Sequence, residues 1–388
     1  MNKRFLLATV SLFSAVTLAA CSSAPTGSSN SSGTKVGDTI KVGINLELTG
    51  AVSAYGNAEK NGAQLAINEI NKDGGVNGKK LKVVTKDNKS DNSEASSVTT
   101  SLATESKVNV IVGPATSGAT AAAPNASSAG VPLITPSATQ DDLTLTSDGK
   151  TRKDVFRTIF VDSYQGDVLS KYATENLKAK KVVLFYDNSS DYAKGIAKRF
   201  KKVYKGDIVT EATFQSGDTD FQSALTKFKD KDYDAIVMPG YYQEAGTIIK
   251  QAREMGITAP ILGPDGFADD KLVELAGKSN VNDVYYISGF SKSCSKKAAK
   301  FASDYKAKYG SEPSMFAALA YDSVYMAAKA SEKAKTSADI SENLANIKNF
   351  KGVTGTMTID KKHNPVKSVS IVGLTNGSES STTPVEAD

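Results

Sequence analysis

The sequence predicts an α/β protein made of two doubly wound parallel-sheet lobes facing a common ligand cleft. From Lys41 onward, short β-branched runs alternate with amphipathic stretches, the signature of βαβ units and parallel sheets. The alternation occurs as two similar series, divided near Phe156-Arg-Thr-Ile-Phe160. Beyond its opening leader the chain has about 350 residues, too many for one compact core and suited to two lobes.

Residues 40–46 read as the first strand. Ala63, Ala66, Ile67 and Ile70 then recur at helical spacing, and Gly74-Gly75 stops that helix. Residues 81–85 are the second strand and 94–107 the second helix. Strands at 108–112 and 131–135 flank a small-residue helix at 119–129. The second series opens with a buried-strand run at 181–186 and a helix at 192–204. Strand, helix and strand follow at 208–214, 221–228 and 235–238. Residues 248–255 are helical and Gly256 caps them; 260–262 and 284–287 are strands. One long helical region is expected over 295–333, and 355–359 with 369–374 reads as a β-hairpin turning through 360–367.

The opening of the chain is not fold. Lys3 and Arg4 precede an apolar run over 5–18, the layout of an export signal. That run is about 14 residues, short of the roughly 20 a helix needs to span a bilayer. Leu18-Ala-Ala-Cys21 resembles the bacterial lipobox, which implies cleavage before Cys21 and a diacylglyceryl group on its sulfur. The Ser, Gly, Asn, Thr and Pro that follow make a flexible tether, and two acyl chains anchor stably where one is marginal. The expected division is therefore a signal segment at 1–20, then the lipidated cysteine and tether at 21–38. The first lobe is 39–158 with 290–355, the second 159–289 with 356–378, and a disordered tail covers 379–388. Crossovers between lobes are expected near 158, 289 and 356.

Composition excludes several functions. The net charge of +5 comes from lysine, and arginine occurs only at Arg4, Arg152, Arg157, Arg199 and Arg253. Nucleic-acid readers cluster Arg with aromatics, so no nucleic-acid partner is expected. No second apolar run reaches membrane-spanning length, so the chain is not itself a permease. Lipidation of Cys21 leaves Cys294 alone, without a disulfide framework. Gly149-Lys-Thr151 imitates a phosphate loop, but the earlier glycine it requires is Thr144. The single histidine, His363, lies in a polar turn without metal or catalytic partners, so neither cofactor nor enzyme activity is expected.

Parallel sheets place ligands beyond the carboxyl ends of their strands. In the first lobe Gly113-Pro-Ala-Thr-Ser-Gly118 opens a helix, whose free N–H groups suit a carboxylate or phosphate. Pro136-Ser-Ala-Thr139 adds hydroxyls, and Ser53-Ala-Tyr55-Gly56 an aromatic. In the second lobe Tyr241 follows one strand and Asp265 another, and an acid there suits an ammonium. Helix capping and a Pro-Asp-Gly turn are the plain structural readings of these same residues.

At these residues the chain resembles the binding proteins of branched-chain amino acid ABC importers, of the periplasmic-binding-protein type I family, from about residue 39 to 374. The matching segments include Ser53-Ala-Tyr-Gly, Asn61-Gly-Ala-Gln-Leu-Ala-Ile-Asn-Glu-Ile-Asn, Gly113 to Ser117, Thr135-Pro-Ser-Ala-Thr139, Gly217-Asp-Thr-Asp-Phe221, Gly240-Tyr-Tyr-Gln-Glu, Gln251-Ala-Arg-Glu-Met-Gly and Gly263-Pro-Asp-Gly266. The resemblance implies that Ser117 and Thr139 hold the α-carboxylate of a free aliphatic amino acid. The Ser137 carbonyl, the Thr139 hydroxyl and Asp265 would hold its ammonium, with Ala138 in the same set. Tyr241 would reach across from the second lobe, Tyr55 would wall the side-chain pocket, and Tyr192 would be a further cleft aromatic. Asp265 stands where a longer Glu is also found, and Thr116 and residues 86–92 lack cysteines that some relatives pair.

The resemblance also implies a monomer, lipid-anchored on the extracytoplasmic face, that closes on Leu, Ile or Val and serves permease subunits driven by separate ATPases. A binder of another amino acid or an amide, and a tethered sensor acting through a partner, are the alternatives.

Overall fold

The computed structural model describes residues 33–386. The predicted signal segment, Cys21 and most of the tether lie outside the described residues. The first series folds as β1 (Thr39–Leu46), α1 (Ser53–Lys72), β2 (Lys80–Asp87), α2 (Asn92–Thr104), β3 (Val110–Val112), α3 (Thr116–Ala129), β4 (Leu133–Thr135) and β5 (Val155–Arg157). The second is α4 (Asp162–Glu175), β6 (Lys181–Asp187), α5 (Asp191–Val203), β7 (Asp207–Phe214), α6 (Gln222–Thr226), β8 (Ala235–Val237), α7 (Tyr242–Glu254), β9 (Ile261–Gly263), α8 (Asp270–Ala276) and β10 (Val284–Ser288). The chain then adds α9 (Lys296–Tyr309), α10 (Met315–Ser331), α11 (Ser337–Ala345), β11 (Phe350–Gly352), β12 (Gly355–Ile359) and β13 (Pro365–Val366). It ends with β14 (Val369–Thr375) and β15 (Ser378–Val385).

Strands β2-β1-β3-β4-β5 form one parallel sheet. Its faces bury separate apolar clusters, one shared with α1, α10 and α11 and the other with α2 and α3. The second sheet has the order β15-β14-β10-β9-β8-β6-β7, parallel except for the antiparallel β14 and β15. Helix α1 packs on α10 at Gly62, where an added Cβ would lie 1.9 Å from the Ala317 carbonyl oxygen. Only glycine fits that approach.

Local chemistry sets the helix starts. Asp91 and Ser190 cap α2 and α5, and Thr336 with Asp339 forms a reciprocal capping box on α11. The helical region expected over 295–333 is two helices. Gly310 adopts a left-handed conformation at φ 81° and Pro313 follows it, so α9 ends and α10 restarts under its Ser314 cap.

The carboxyl-terminal region differs from the sequence reading in two ways. Residues 355–359 and 369–374 do not pair with each other: β12 pairs with β11 and β13, whereas β14 joins β10 and β15. Met357 and Ile359 bury in the first lobe's core, so 355–366 belongs to that lobe, and the third crossover lies at 367–368 rather than near 356. The tail expected to be disordered at 379–388 is instead strand β15 as far as Val385. Its Ser/Thr-rich, mostly exposed side chains carry little apolar signal, and backbone pairing to β14 holds it. The hairpin turns at Asn376-Gly377, both at positive φ, the residue pair that a two-residue hairpin favours.

All three crossovers meet at Lys367. Its buried ammonium donates to the Thr158 carbonyl at 3.3 Å and the Thr354 hydroxyl at 2.8 Å, and a Cβ on Gly289 would lie 3.7 Å from it. Burial pulls its pKa down to about 8, opposed by the field of Asp322.

Candidate functional site

The strand ends of both sheets converge on one cleft. Tyr55, in the first turn of α1, is 1% exposed, and its hydroxyl donates to the Gly266 carbonyl of the other lobe at 2.6 Å. Its ring lies 4.3 Å from that of Phe316 on α10 and 5.1 Å from that of Tyr242. These contacts, with Val52 and Met315, join the first lobe to the second lobe's core.

The first-lobe wall is built from crossed hydrogen bonds. Thr135 donates its hydroxyl to the Pro114 carbonyl at 2.6 Å and accepts from the Ala138 N–H at 3.0 Å, tying the β3 and β4 exits together. The fully buried Arg157 donates to the carbonyls of Ala138 at 3.0 Å and Gln140 at 2.8 Å. Burial lowers its pKa only to about 10, so it stays charged at neutral pH. Ala138 is therefore a fully buried part of the frame, while Ser137, Thr139 and Gln140 line the cavity. Ser117 falls in the first turn of α3, after the Gly113-Pro114-Ala115 exit.

The second-lobe wall follows β6, β8 and β9. Tyr192, near the start of α5, and Tyr241, capping α7, stack with centroids 4.8 Å apart and planes 4° from parallel. The Tyr192 hydroxyl donates to the Asp265 carboxylate and accepts from the Gly266 N–H at 3.0 Å. The Asp265 N–H donates to Gln165 Oε1 at 3.0 Å. Burial pushes the Asp265 pKa up to about 6, against the lowering effect of hydrogen bonds from Tyr192 and Gln165. Those partners are all neutral, so the acid is held in place without being balanced in charge.

Sequence reasoning missed the second acid here. Asp162, the first residue of α4, is 2% exposed and its Oδ1 has no hydrogen-bond partner. Burial drives its pKa well above the carboxylate range; a Thr139 hydrogen bond lowers it and the field of Asp265 raises it. Its N–H donates to the Thr139 carbonyl at 2.8 Å, which ties the segment after β4 to the first helix of the other lobe. Gln165 and Phe316 were also missed. Among the described residues, no group of three or more His, Cys, Asp or Glu side chains could hold a metal ion, and no helix is long and apolar enough to cross a membrane.

Tyr55, Ser137, Thr139, Tyr192, Tyr241 and Asp265 thus border one cavity, with Gln140, Asp191, Gly266 and Phe316 completing it. Two Rossmann-like lobes closing a polar-ended, aromatic-walled cavity at their strand ends define a solute-binding protein. Residues 39–379 match the periplasmic binding protein family, and the chain belongs to it. The leucine-, isoleucine-, valine-, threonine- and alanine-binding protein of Pseudomonas aeruginosa is 32% identical over 332 residues, covering 84% of this chain and 87% of that protein. The isoleucine complex of LivJ, a branched-chain amino acid transporter substrate binding protein from Streptococcus pneumoniae, is 54% identical. It covers 89% of this chain and 99% of its own with a TM-score of 0.87. The leucine binding protein LivK from Thermotoga maritima is 31% identical with a TM-score of 0.80, again over 89% and 99% of the two chains.

Proposed function

We propose that this protein captures a free branched-chain amino acid by hinged closure of its lobes and delivers it to the permease of an ABC importer. The observation that carries this reading is the buried acid Asp265, without a cationic partner, on a cavity whose opposite wall offers the hydroxyls of Ser137 and Thr139. Buried charge needs a partner, and an ammonium beside Asp265 supplies one. The ligand's carboxylate then falls to the first lobe, at Thr139 and the start of α3 with Ser117. Tyr55 and Phe316 enclose an aliphatic side chain. The cargo named for the Pseudomonas and Streptococcus relatives supports the same class.

Calorimetry of the ligand-free protein against Leu, Ile, Val, Ala and Thr tests the reading. Saturable heats with the branched-chain members are expected, and none with any member refutes it.

The pH dependence has a defined sign. An ammonium favours ionised Asp265, whereas below about pH 6 the free protein holds that acid protonated. Leucine affinity should therefore fall by roughly tenfold per unit as pH drops below that value. In the unliganded fold the raised pKa favours folding at low pH, and that contribution is lost as pH rises through about 6. Affinity measured from pH 4 to 8 checks this; a flat profile contradicts it.

The leader pattern, Cys21 and the Ser-rich tether support anchoring by lipid on the extracytoplasmic face. Cys21→Ala should release the protein from membranes while leaving ligand capture intact. Cell fractionation reads this, and undiminished membrane attachment would remove the anchor assignment.

A further inference from the structure

Beneath the first-lobe wall lie two glutamates that none of the assigned roles uses. Glu47 follows β1 and is 1% exposed; its Oε2 accepts the Ala115 N–H at 3.1 Å. Its Oε1 lies under the first turn of α3, 3.2 Å from where a Cβ on Gly118 would be. Glu59 of α1 is fully buried and accepts the Ser137 hydroxyl through Oε1, while its Oε2 has no hydrogen-bond partner. One acid thus holds the β3–α3 segment and the other the segment after β4. These are the two segments to which the ligand's carboxylate is assigned.

The groups facing the pair bring no cation. Glu47 faces the Asn88 side chain and the field of Asp87 at the end of β2; Glu59 faces Glu47 and Ser137. Asp87 is itself held ionised by the Thr49 hydroxyl and the N–H groups of Lys89, Thr49 and Leu48, so it adds a fixed negative charge. Burial raises both pKa values, that of Glu47 to about 7 and that of Glu59 well above the carboxylate range. Two buried acids in each other's field do not both ionise, so the pair titrates as a unit.

We propose that Glu47 and Glu59 are positioning residues of the amino-acid site: they fix the two segments that hold the ligand's carboxylate, and the pair takes up a proton from solvent when that anion binds. The step is a plain protonation, in which one Glu carboxylate gains the proton that a buffer molecule loses. It rests on the amino-acid reading above, because only an anionic ligand group arriving at those segments adds the third negative charge. A neutral Glu59 can also donate to the Ser137 oxygen, which frees the serine hydroxyl hydrogen to point into the cleft.

The test is calorimetry of the purified protein with leucine near pH 7.5, in two buffers that differ in ionisation enthalpy. Asp265 is already ionised there and releases protons only at lower pH. Asp162, whose pKa burial also raises, can only release a proton as the ammonium arrives, so any uptake has to come from the glutamates. The expected result is a buffer-dependent heat corresponding to uptake of a fraction of a proton per leucine. Glu47→Gln and Glu59→Gln should each abolish most of that uptake. Wild-type affinity should weaken from pH 6.5 to 8.5, by about tenfold for each unit by which leucine raises the pair's pKa, and Glu47→Gln should flatten that slope. A spacer without this linkage would leave the proton count unchanged. Leucine binding with buffer-independent heat in the wild type and in Asp162→Asn alike overturns the proposal, even if a glutamate variant fails to fold. Uptake that persists in both variants overturns it too. An absence of any leucine heat instead removes the amino-acid reading, and this inference with it.

Discussion

Replacing Asp265 with asparagine is expected to weaken leucine binding by about 2–5 kcal/mol, the cost of removing one partner of a desolvated charge pair. The side chain keeps its shape, so Tyr192 and Gln165 still have a partner and the fold should survive with unchanged thermal unfolding. In the free protein burial disfavours the ionised acid, so the loss should appear in binding and not in stability. Titration calorimetry of the variant checks this. Affinity equal to wild type would take Asp265 out of the site.

The second large effect concerns the ligand. Leucinamide keeps the ammonium but lacks the carboxylate, and isocaproate keeps the carboxylate but lacks the ammonium. Each leaves cleft groups without their partner, at about 1–3 kcal/mol per unsatisfied group and more where the group is charged. Isocaproate should be the poorer ligand, because it brings a carboxylate to the cleft and leaves the buried Asp265 without a cation. Competition against leucine measures both. Tight isocaproate binding would refute the ammonium assignment, and tight leucinamide binding would refute the carboxylate assignment.

The parts of the site on strand exits were legible in the sequence because β-branched runs mark the strands and the residues just after them must face the cleft. Tyr55, Ser137, Thr139, Tyr241 and Asp265, which border the cavity, are legible that way, while the roles proposed for them come from the family resemblance. Asp162 was not, because α4 carries buried polar residues, Gln165 and Ser170, on the face where a helix normally shows an apolar stripe. Phe316 was hidden for the opposite reason: α10 is buried on nearly every side, so its periodicity does not single out one aromatic. Glu47 and Glu59 read as ordinary charged residues, and only the fold brings them beneath two separate segments. The β15 strand, expected to be a disordered tail, has a polar composition that hides it, and the Asn376-Gly377 turn before it is the signal that marks the hairpin.

Hinged capture requires that the ligand itself hold the lobes together, since only the closed form lets both lobes contact one molecule. The hydrogen bond from Tyr55 to Gly266 exists only with the lobes together. Small-angle scattering of the ligand-free protein, before and after saturation with leucine, measures this most directly. The account predicts a smaller radius of gyration with leucine, and no contraction of Asp265→Asn at the same leucine concentration. Saturable leucine heat with an unchanged radius of gyration would contradict it.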